Sequence, residues 1–322
     1  MTTTFDQYLM TVDEATYGTA VAPTKAFEFT SEGINGKYER IESAAIRAGS
    51  RVARTDRFAI NPKGAEGDIK MEVQSGGFDF WLKHMLGNVV AGAPTGGFTT
   101  YTATLGDING KSFTTQVGRQ GSGGALTPFT YEGGKVKSWE LSNQVDGLVE
   151  LAVTCDFAKE TIGAGTGAYA QATPTYVANA KVLSYTGATV TVGGVAFDAS
   201  EFSLKADNGL KDDRYFLRSS GKKSEPLEEK LRKFEWSLKS EFKDTTQLNK
   251  VASAIASGAV AAISITFDGP DSSQLKIDLP FARFDAGPVS VGGMEVLAQD
   301  LSGIALTDGT ASPVTITYKA IA

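Results

Sequence analysis

The chain contains one histidine, His84, and this limits the chemistry that it can perform. A metal site built from several histidines is excluded, because such sites need two or more imidazole ligands. A serine or cysteine nucleophile activated by a histidine would have to use His84 itself. His84 precedes Met85 in a segment with helical spacing, and we predict that it is an ordinary residue on the surface of that helix.

Two glycine-rich segments share only their composition with phosphate-binding loops. The first, GDINGKS at 106–112, has three residues between its glycines, whereas the phosphate loop needs four. In the second, Gly163, Gly165 and Gly167 are not followed by a predicted helix whose N-terminus could bind a phosphate. Both segments are therefore interpreted as turns.

Clusters of charged residues do not indicate a catalytic site either. The carboxylate pairs Asp212-Asp213 and Glu228-Glu229 stand among lysines, and with Pro226 they predict a solvated loop at 211–233. Acidic residues interrupt the arginines of 40–57, which favours salt bridges to protein over contact with nucleic acid (Arg40, Arg47, Arg51, Arg54, Arg57, Glu42 and Asp56). We predict no enzymatic activity and no catalytic, cofactor-binding or metal-binding residues.

Length and composition indicate a globular protein with a large core. The chain has 322 residues, enough for two ordinary domains or one large all-β unit, and 41% of them are hydrophobic. Its net charge of −6 argues against a dedicated nucleic-acid-binding protein, which usually has a basic excess. The single cysteine, Cys155, excludes an intrachain disulfide and is predicted to be a small buried residue. The first ten residues lack the pattern of a signal peptide, and no apolar run approaches the roughly 20 residues that span a bilayer, so we expect a soluble, cytoplasmically made protein.

Alternation of polar and apolar residues predicts antiparallel strands along much of the chain. The clearest segments are 68–73, 148–157, 234–239 and 275–281, where every second residue is apolar. The three tryptophans lie on faces that we predict to be buried (Trp81, Trp139 and Trp236).

Turn and helix signals complete the predicted elements. Asn109-Gly110 predicts a hairpin between 99–105 and 112–117, and Asp268-Gly269-Pro270 predicts one between 263–267 and 275–279. Helical spacing occurs at 77–86, before Gly87, and at 244–257, before Gly258, with Asp244 as the N-cap residue of the second helix.

The order of these elements repeats along the chain. Each helix follows an alternating strand and precedes a hairpin, and a long charged segment comes before each strand, at 34–64 and 205–233, with an offset of roughly 165 residues. We predict an extended N-terminal arm at 1–26, a first unit at 27–160, a glycine-rich join at 161–195 and a second unit at 196–322.

Four motifs distributed along the chain give it a family resemblance. YGTAVAP at 17–23 is extended because Pro23 disfavours helix at Ala22, and it leads into a strand. The others are a strand–helix unit at 67–87, GGKV at 133–136 before the strand at 148–157, and VTITY at 314–318. With these motifs the whole chain resembles the tail tube proteins of phages that have long, non-contractile tails.

The resemblance implies a mainly β fold of two tandem tail-tube-like units. Each would be an antiparallel β-sandwich or half-barrel with one flanking α-helix, and the sheets would join around a ring. Rings would stack into a hollow tube that conducts genomic DNA into the host. The N-terminal arm and the long inter-strand segment would contact neighbouring subunits and the adjacent ring, serving them and not the core of their own chain.

The resemblance also implies partners and location. Many family members carry one unit, so two units per chain would give a pseudo-sixfold ring of three chains, whereas six chains are expected if there is no duplication. Other partners would be the tape measure, the tail terminator and the baseplate-side tail proteins. The protein would reside in the virion tail, without a membrane or a cofactor.

An acidic lumen would let DNA pass without binding, because contacts from Lys and Arg to phosphate add affinity. Candidates for this lumen are polar residues on the outward sides of the predicted strands (Glu72, Glu150, Asp156 and Glu235). The alternative function is that of a β-sandwich adhesin or carbohydrate-binding module, with the pair Tyr215-Phe216 as its exposed aromatic residues.

Overall fold

The computed structural model describes residues 6–218, 222–289, 291 and 296–321, which form 21 β-strands and two α-helices. The first half contains β1 (Tyr8–Glu14), β2 (Lys25–Phe27), β3 (Ser31–Glu32), β4 (Asn35–Glu42), β5 (Phe58–Glu72), α1 (Asp79–Leu86), β6 (Gly87–Ala91), β7 (Phe98–Leu105), β8 (Ser112–Gln120), β9 (Leu126–Gln144), β10 (Glu150–Phe157) and β11 (Lys159–Ile162). The second half contains β12 (Ala188–Val192), β13 (Val195–Ala196), β14 (Ala199–Asp207), β15 (Leu210–Lys211), β16 (Leu227–Glu228), β17 (Lys233–Glu241), α2 (Thr246–Ser257), β18 (Ala261–Asp268), β19 (Gln274–Ala286), β20 (Ala298–Ala305) and β21 (Thr315–Ile321). The predicted mainly β, antiparallel fold is confirmed.

One antiparallel sheet runs through both halves, and we call it the central sheet. Its order is β5–β10–β9–β14–β17–β20–β19, and β3 and β4 extend it beyond β5. The halves meet where β9 pairs with β14, with Leu141 opposite Leu204 and Trp139 opposite Ala206. This pairing makes the two halves one continuous sheet.

A second layer of strands covers the buried side of the central sheet. In the first half its order is β2–β1–β8–β9–β11, because the long β9 belongs to both layers. In the second half the first part of β19 pairs with β18 and β21. Beyond these lie β12 and β13 on one side, and β7 and β6 on the other.

The core lies between the layers and consists of the apolar residues of the alternating strands. All three tryptophans are buried, as predicted, with exposed fractions of 2% or less (Trp81, Trp139 and Trp236). Cys155 is also buried, as predicted, and burial raises the pKa of its thiol. The alternation in β5, β10, β17 and β19 matches the burial of every second side chain.

Both predicted helices are confirmed. Gly87 ends α1 and Gly258 ends α2, each with a positive φ that glycine adopts without strain. The N-cap residue of α2 is Thr245, one position after the predicted one, although Asp244 Oδ1 accepts a hydrogen bond of 2.7 Å from the backbone N–H of Thr246. The predicted hairpin between β18 and β19 is also confirmed.

The hairpin predicted at Asn109-Gly110 is wrong. A local turn does form there, because Asp107 Oδ1 accepts a hydrogen bond from the N–H of Asn109. However, β7 pairs with β6 and β21, while β8 pairs with β1 and β9. The turn therefore carries the chain from the strands next to β21 to the strands next to β1, and distant strands supply the partners that the hairpin would have supplied.

The expectation that the N-terminal segment serves neighbours and not its own core is wrong for residues 8–14. These residues form β1, which pairs with β8 along its whole length. Tyr8, Leu9 and Met10 are buried in the chain's own core. An extended conformation needs backbone partners, and here the same chain supplies them.

Candidate assembly surfaces

The outward side of the central sheet carries polar side chains on every strand, and we call it the polar face. Cross-strand pairs place its residues on one side, such as Glu150 opposite Glu72, and Lys205 opposite both Glu140 and Glu235. Its acidic residues are Glu66, Asp68, Glu72, Glu140, Glu150, Glu201, Asp207, Glu235, Glu241, Asp285 and Asp300. Its basic residues are Lys70, Lys137, Lys205, Lys233, Lys239 and Arg283.

Several of the basic residues already have acidic partners on the same face. Lys205 lies 3.4 Å from Glu140, Lys239 lies 3.2 Å from Glu201, and Arg283 binds Asp285. Three shallow depressions lie along this face, over β9, β10, β14, β17 and β20. The polar face is thus a surface with an acidic excess.

The central sheet ends in two edges within the described part of the chain. At one end, residues 283–286 of β19 pair with β20 and have no strand on their other side. We call this the second edge. At the other end β3 and β4 pair with β5, and their outward side, the first edge, faces no other strand.

Side chains of the same chain form hydrogen bonds with the backbone groups of the first edge. The carbonyl oxygen of Ile34 accepts hydrogen bonds from Tyr131 Oη (2.9 Å) and Arg119 Nη2 (2.5 Å). The N–H of Gly36 donates to Glu160 Oε1 (3.2 Å). Glu32 binds Arg119 through two hydrogen bonds of 2.8 Å each. The first edge is therefore closed by side chains of its own chain.

Beyond the edge, β4 and the start of β5 form a two-stranded ribbon that projects from the fold. Its large apolar side chains are exposed (Tyr38, Ile41, Ile46, Val52, Phe58 and Ile60). Arg54 binds Asp56, and Arg40 lies over the ring of Phe58 at 4.8 Å. Large exposed apolar residues that are grouped in this way mark surfaces that bind other proteins.

Comparison with protein families shows which family the chain belongs to. The chain matches the family model described as "Phage tail tube protein" over residues 4–317. It belongs to this family. The comparison with curated proteins gave no match.

A tail tube protein is a structural component of the virion tail that assembles with copies of itself and with other tail proteins. Among the described residues, neither α-helix has the length and apolar character needed to cross a membrane. Members of this family are in general structural proteins and not enzymes.

All four predicted lumen residues lie on the outward side of the central sheet, but Asp156 is covered there. Glu72, Glu150 and Glu235 are partly or fully exposed. Asp156 is 1% exposed, because Lys223 binds it and covers it. Burial raises the pKa of Asp156 to about 6, although Lys223 opposes this shift.

The solvated loop predicted at 211–233 is wrong around residues 222–226 and at Arg232, whereas residues 216–218 and 227–231 are exposed. Lys223 is buried against Asp156, Lys222 binds Glu132, and Arg232 donates to the carbonyl oxygen of Gly106 at 2.8 Å. Sequence periodicity gives no signal for these contacts, because the partners lie far away along the chain. The segment packs against the first half.

Carboxylates of Glu66, Asp156 and Asp212 approach within 4.8 Å of one another beneath this segment. The ammonium groups of Lys137 and Lys223 are bound to the same carboxylates, with Lys137 at 2.5 Å from Asp212. The lysines supply the positive charge that such a cluster needs.

The prediction that His84 is a surface residue is wrong. Its side chain is buried, and its Nε2 lies 2.7 Å from Asp13 Oδ1. Burial lowers the pKa of His84 against the effect of Asp13. Burial also favours neutral Asp13, but hydrogen bonds from His84 and Lys83 hold the pKa of Asp13 well below its usual range. The pair connects α1 to β1, and aromatic rings surround the imidazole instead of a nucleophile.

Proposed function

We propose that three copies of this chain close into a ring whose lumen is the polar face, and that rings stack into the tube through which genomic DNA leaves the virion. The pairing of β9 with β14 is the observation that carries the proposal. It joins the two halves side by side in one sheet, and the same contact between chains would close a ring. The two edges of the central sheet are then the two sides of that contact.

Equivalent strand order in the two halves supports a chain with two tandem units. Pairs in β8–β10 recur in β18–β20 at a spacing of 148 residues: Thr115 with Tyr131 corresponds to Ile263 with Leu279. Both β9 and β19 have a bulge directly after these residues. The first unit would run from β1 to β11 and the second from β12 to β21, which moves the start of the second unit from 196 to 188.

The register of the contact between chains follows from the contact within the chain. Glu72 lies opposite Glu150, and Glu241 lies opposite Ala298, 148 residues after Glu150, so β5 corresponds to β17. In this alignment Ala65 corresponds to Phe234, and their partners Gly36 and Ala206 correspond to each other, which matches Lys37 with Asp207. Asp207 lies opposite Ser138, whose counterpart 148 residues later is Ala286. Lys37 of one copy should therefore lie opposite Ala286 of the next.

The charges of the polar face suit a lumen for DNA. Glu72, Glu150, Asp207 and Asp300 lie on it without an ion pair among the described residues, so a net negative potential remains. A negative wall repels phosphate, and the counter-ion release that drives binding to basic surfaces does not occur. DNA would pass through without specific binding.

Contacts along the tube would come from the exposed ribbon, and other tail proteins would close its ends. The ribbon's apolar residues and arginines would lie against a neighbouring subunit. The tape measure, the tail terminator and the baseplate-side proteins are the partners that this role requires. The role needs no enzymatic activity and no cofactor.

Cysteines at positions 37 and 286 test the ring. Residues directly opposite in an antiparallel pair have Cα atoms about 4.5–5.5 Å apart, within disulfide range. Within one chain the two edges are separated by seven strand spacings, about 30 Å, so a bond inside the chain is excluded. Native Cys155 is buried and does not interfere.

Tubes of the double variant Lys37→Cys/Ala286→Cys should give covalent trimers on oxidation, and each single variant should give monomers. A ladder that ends at six chains would support a ring of six. Absence of any cross-link from well-formed tubes would refute the edge-to-edge contact.

A further inference from the structure

Three of the four side chains that close the first edge have apolar counterparts in the second half, whereas Glu160 corresponds to Asp308, 148 residues later. By the correspondence above, Glu32 and Arg119 match Phe202 and Phe267. The ion pair of the first half is thus replaced by two aromatic rings whose centroids are 6.4 Å apart. Tyr131, likewise, is matched by Leu279.

This difference between polar and apolar residues correlates with whether the edge is paired with another strand. In the second half, β14 is paired with β9, and the N–H of Asn208 donates to the carbonyl oxygen of Lys137 across that contact at 2.8 Å. In the first half, Ile34 and Gly36 correspond to Leu204 and Ala206, which lie opposite Leu141 and Trp139 of β9. The backbone groups of Ile34 and Gly36 are bound to Tyr131, Arg119 and Glu160 instead. The three positions that are polar at the edge without a strand, 32, 119 and 131, are therefore apolar at the edge that has one.

The geometry points to a clasp: we propose that Glu32, Arg119, Tyr131 and Glu160 hold the first edge closed in the free chain, and that a second copy of the chain displaces them when a ring forms. The inference rests on the proposed function, since it concerns the same edge. A carbonyl oxygen that already accepts two hydrogen bonds cannot also accept one from a neighbouring strand in good geometry.

The absence of a side chain on Gly36 is part of the clasp. A Cβ atom at this position would lie 2.2 Å from Glu160 Oε2, so glycine leaves the space for the carboxylate. The carboxylate of Glu160 also accepts a hydrogen bond of 2.8 Å from Tyr38 Oη.

Closing the edge has a physical purpose in the free chain. An unpaired strand edge is a template for uncontrolled pairing with other chains, and proteins protect such edges by charge or by cover. Here the cover consists of hydrogen bonds that can be exchanged for those of a strand. The clasp would keep free chains apart until they meet a growing tube.

The test is the assembly rate of the purified free chain, followed by light scattering and checked by electron microscopy. Tyr131→Phe removes one hydrogen bond to Ile34 with almost no change in shape. We expect assembly about 3- to 10-fold faster, the factor that one hydrogen bond represents. The matched control is Tyr318→Phe, which removes a similar buried bond, of 2.6 Å to the carbonyl oxygen of Gln74, far from the edge.

A second variant, Arg119→Lys, keeps the charge but loses the two-fold contact with Glu32, and it should also assemble faster than the control. An unchanged or slower rate in both variants, with normal circular dichroism and with the cross-link between positions 37 and 286 still formed, would overturn the clasp alone. Loss of that cross-link in the otherwise unmodified chain would overturn the proposed ring instead.

Discussion

Replacing Lys223 by methionine should destabilise the free chain strongly at neutral pH. Lys223 is 3% exposed and Asp156 is 1% exposed, so the variant leaves a carboxylate buried without its partner. Breaking a buried ion pair in this way costs about 3–5 kcal/mol. The Oδ2 atom of Asp156 already lacks a hydrogen-bond partner among the described residues, and the other ammonium group of the cluster, Lys137, is held by Glu66 and Asp212.

The loss should depend on pH, because Asp156 can take up a proton. Burial raises the pKa of Asp156 to about 6 in the folded chain, against about 3.9 in an unfolded one. A raised folded-state pKa gives a contribution that is fully present below pH 4 and is lost as the pH rises through 6. Without Lys223 this pKa rises further, so near pH 5 the buried carboxyl is neutral and the cost of Lys223→Met should fall to about 1 kcal/mol.

Urea unfolding of the free chain at pH 7.5 and pH 5, followed by tryptophan fluorescence, measures both values. The control is Lys243→Met, which removes an exposed partner of exposed Asp198 and should change little at either pH. If Lys223→Met costs no more than the control, or costs the same at both pH values, the buried pair does not hold segment 211–233 in place.

Three further predictions concern other parts of the chain. Leu9→Ala should lower the free energy of unfolding by about 2–5 kcal/mol in a urea titration, because β1 is part of the core; a near-zero cost would mean that β1 is dispensable. Asp13→Asn should destabilise the chain at neutral pH, and since the pKa of Asp13 is lowered, the difference from the unmodified chain should shrink as the pH falls below 4; an equal difference at pH 3 would contradict this. Tubes of Glu150→Lys/Glu235→Lys should form normally but release DNA more slowly at low salt, with the delay shrinking as salt rises; normal release at low salt would place the polar face outside the lumen.

Much of the fold could be predicted because alternation is a local property. The pattern of 148–157 gives the buried and exposed sides of β10, and glycines 87 and 258 give the helix ends. The same alternation places Asp156 outward, which is its direction relative to the sheet, but not its environment. Lys223 covers it from a segment 67 residues later, and no local pattern contains that contact.

The candidate surfaces were harder to predict than the fold. His84 has the helical spacing of a surface residue, but its environment depends on β1, 71 residues earlier. The hairpin at Asn109-Gly110 failed for a similar reason: the turn is local, whereas the choice between β8 and more distant partners for β7 depends on the whole sheet. The polar residues of the first edge can be compared with their apolar counterparts only after the two halves have been aligned strand by strand, and the sequence alone does not give that alignment.

The pairing of β9 with β14 allows two versions of one contact to evolve separately. A chain with a single unit must use the same residues for every lateral contact in its ring. That one contact has to be stable in the ring and yet must not form between free chains before assembly. Here one version is made during folding and is never undone, and apolar residues such as Phe202 and Phe267 suit it. In the proposed ring the other version would be made when two chains meet, and the charged pair Glu32 and Arg119 suits that. A six-unit ring of such chains requires three encounters in place of six, each between subunits whose other half is already in register.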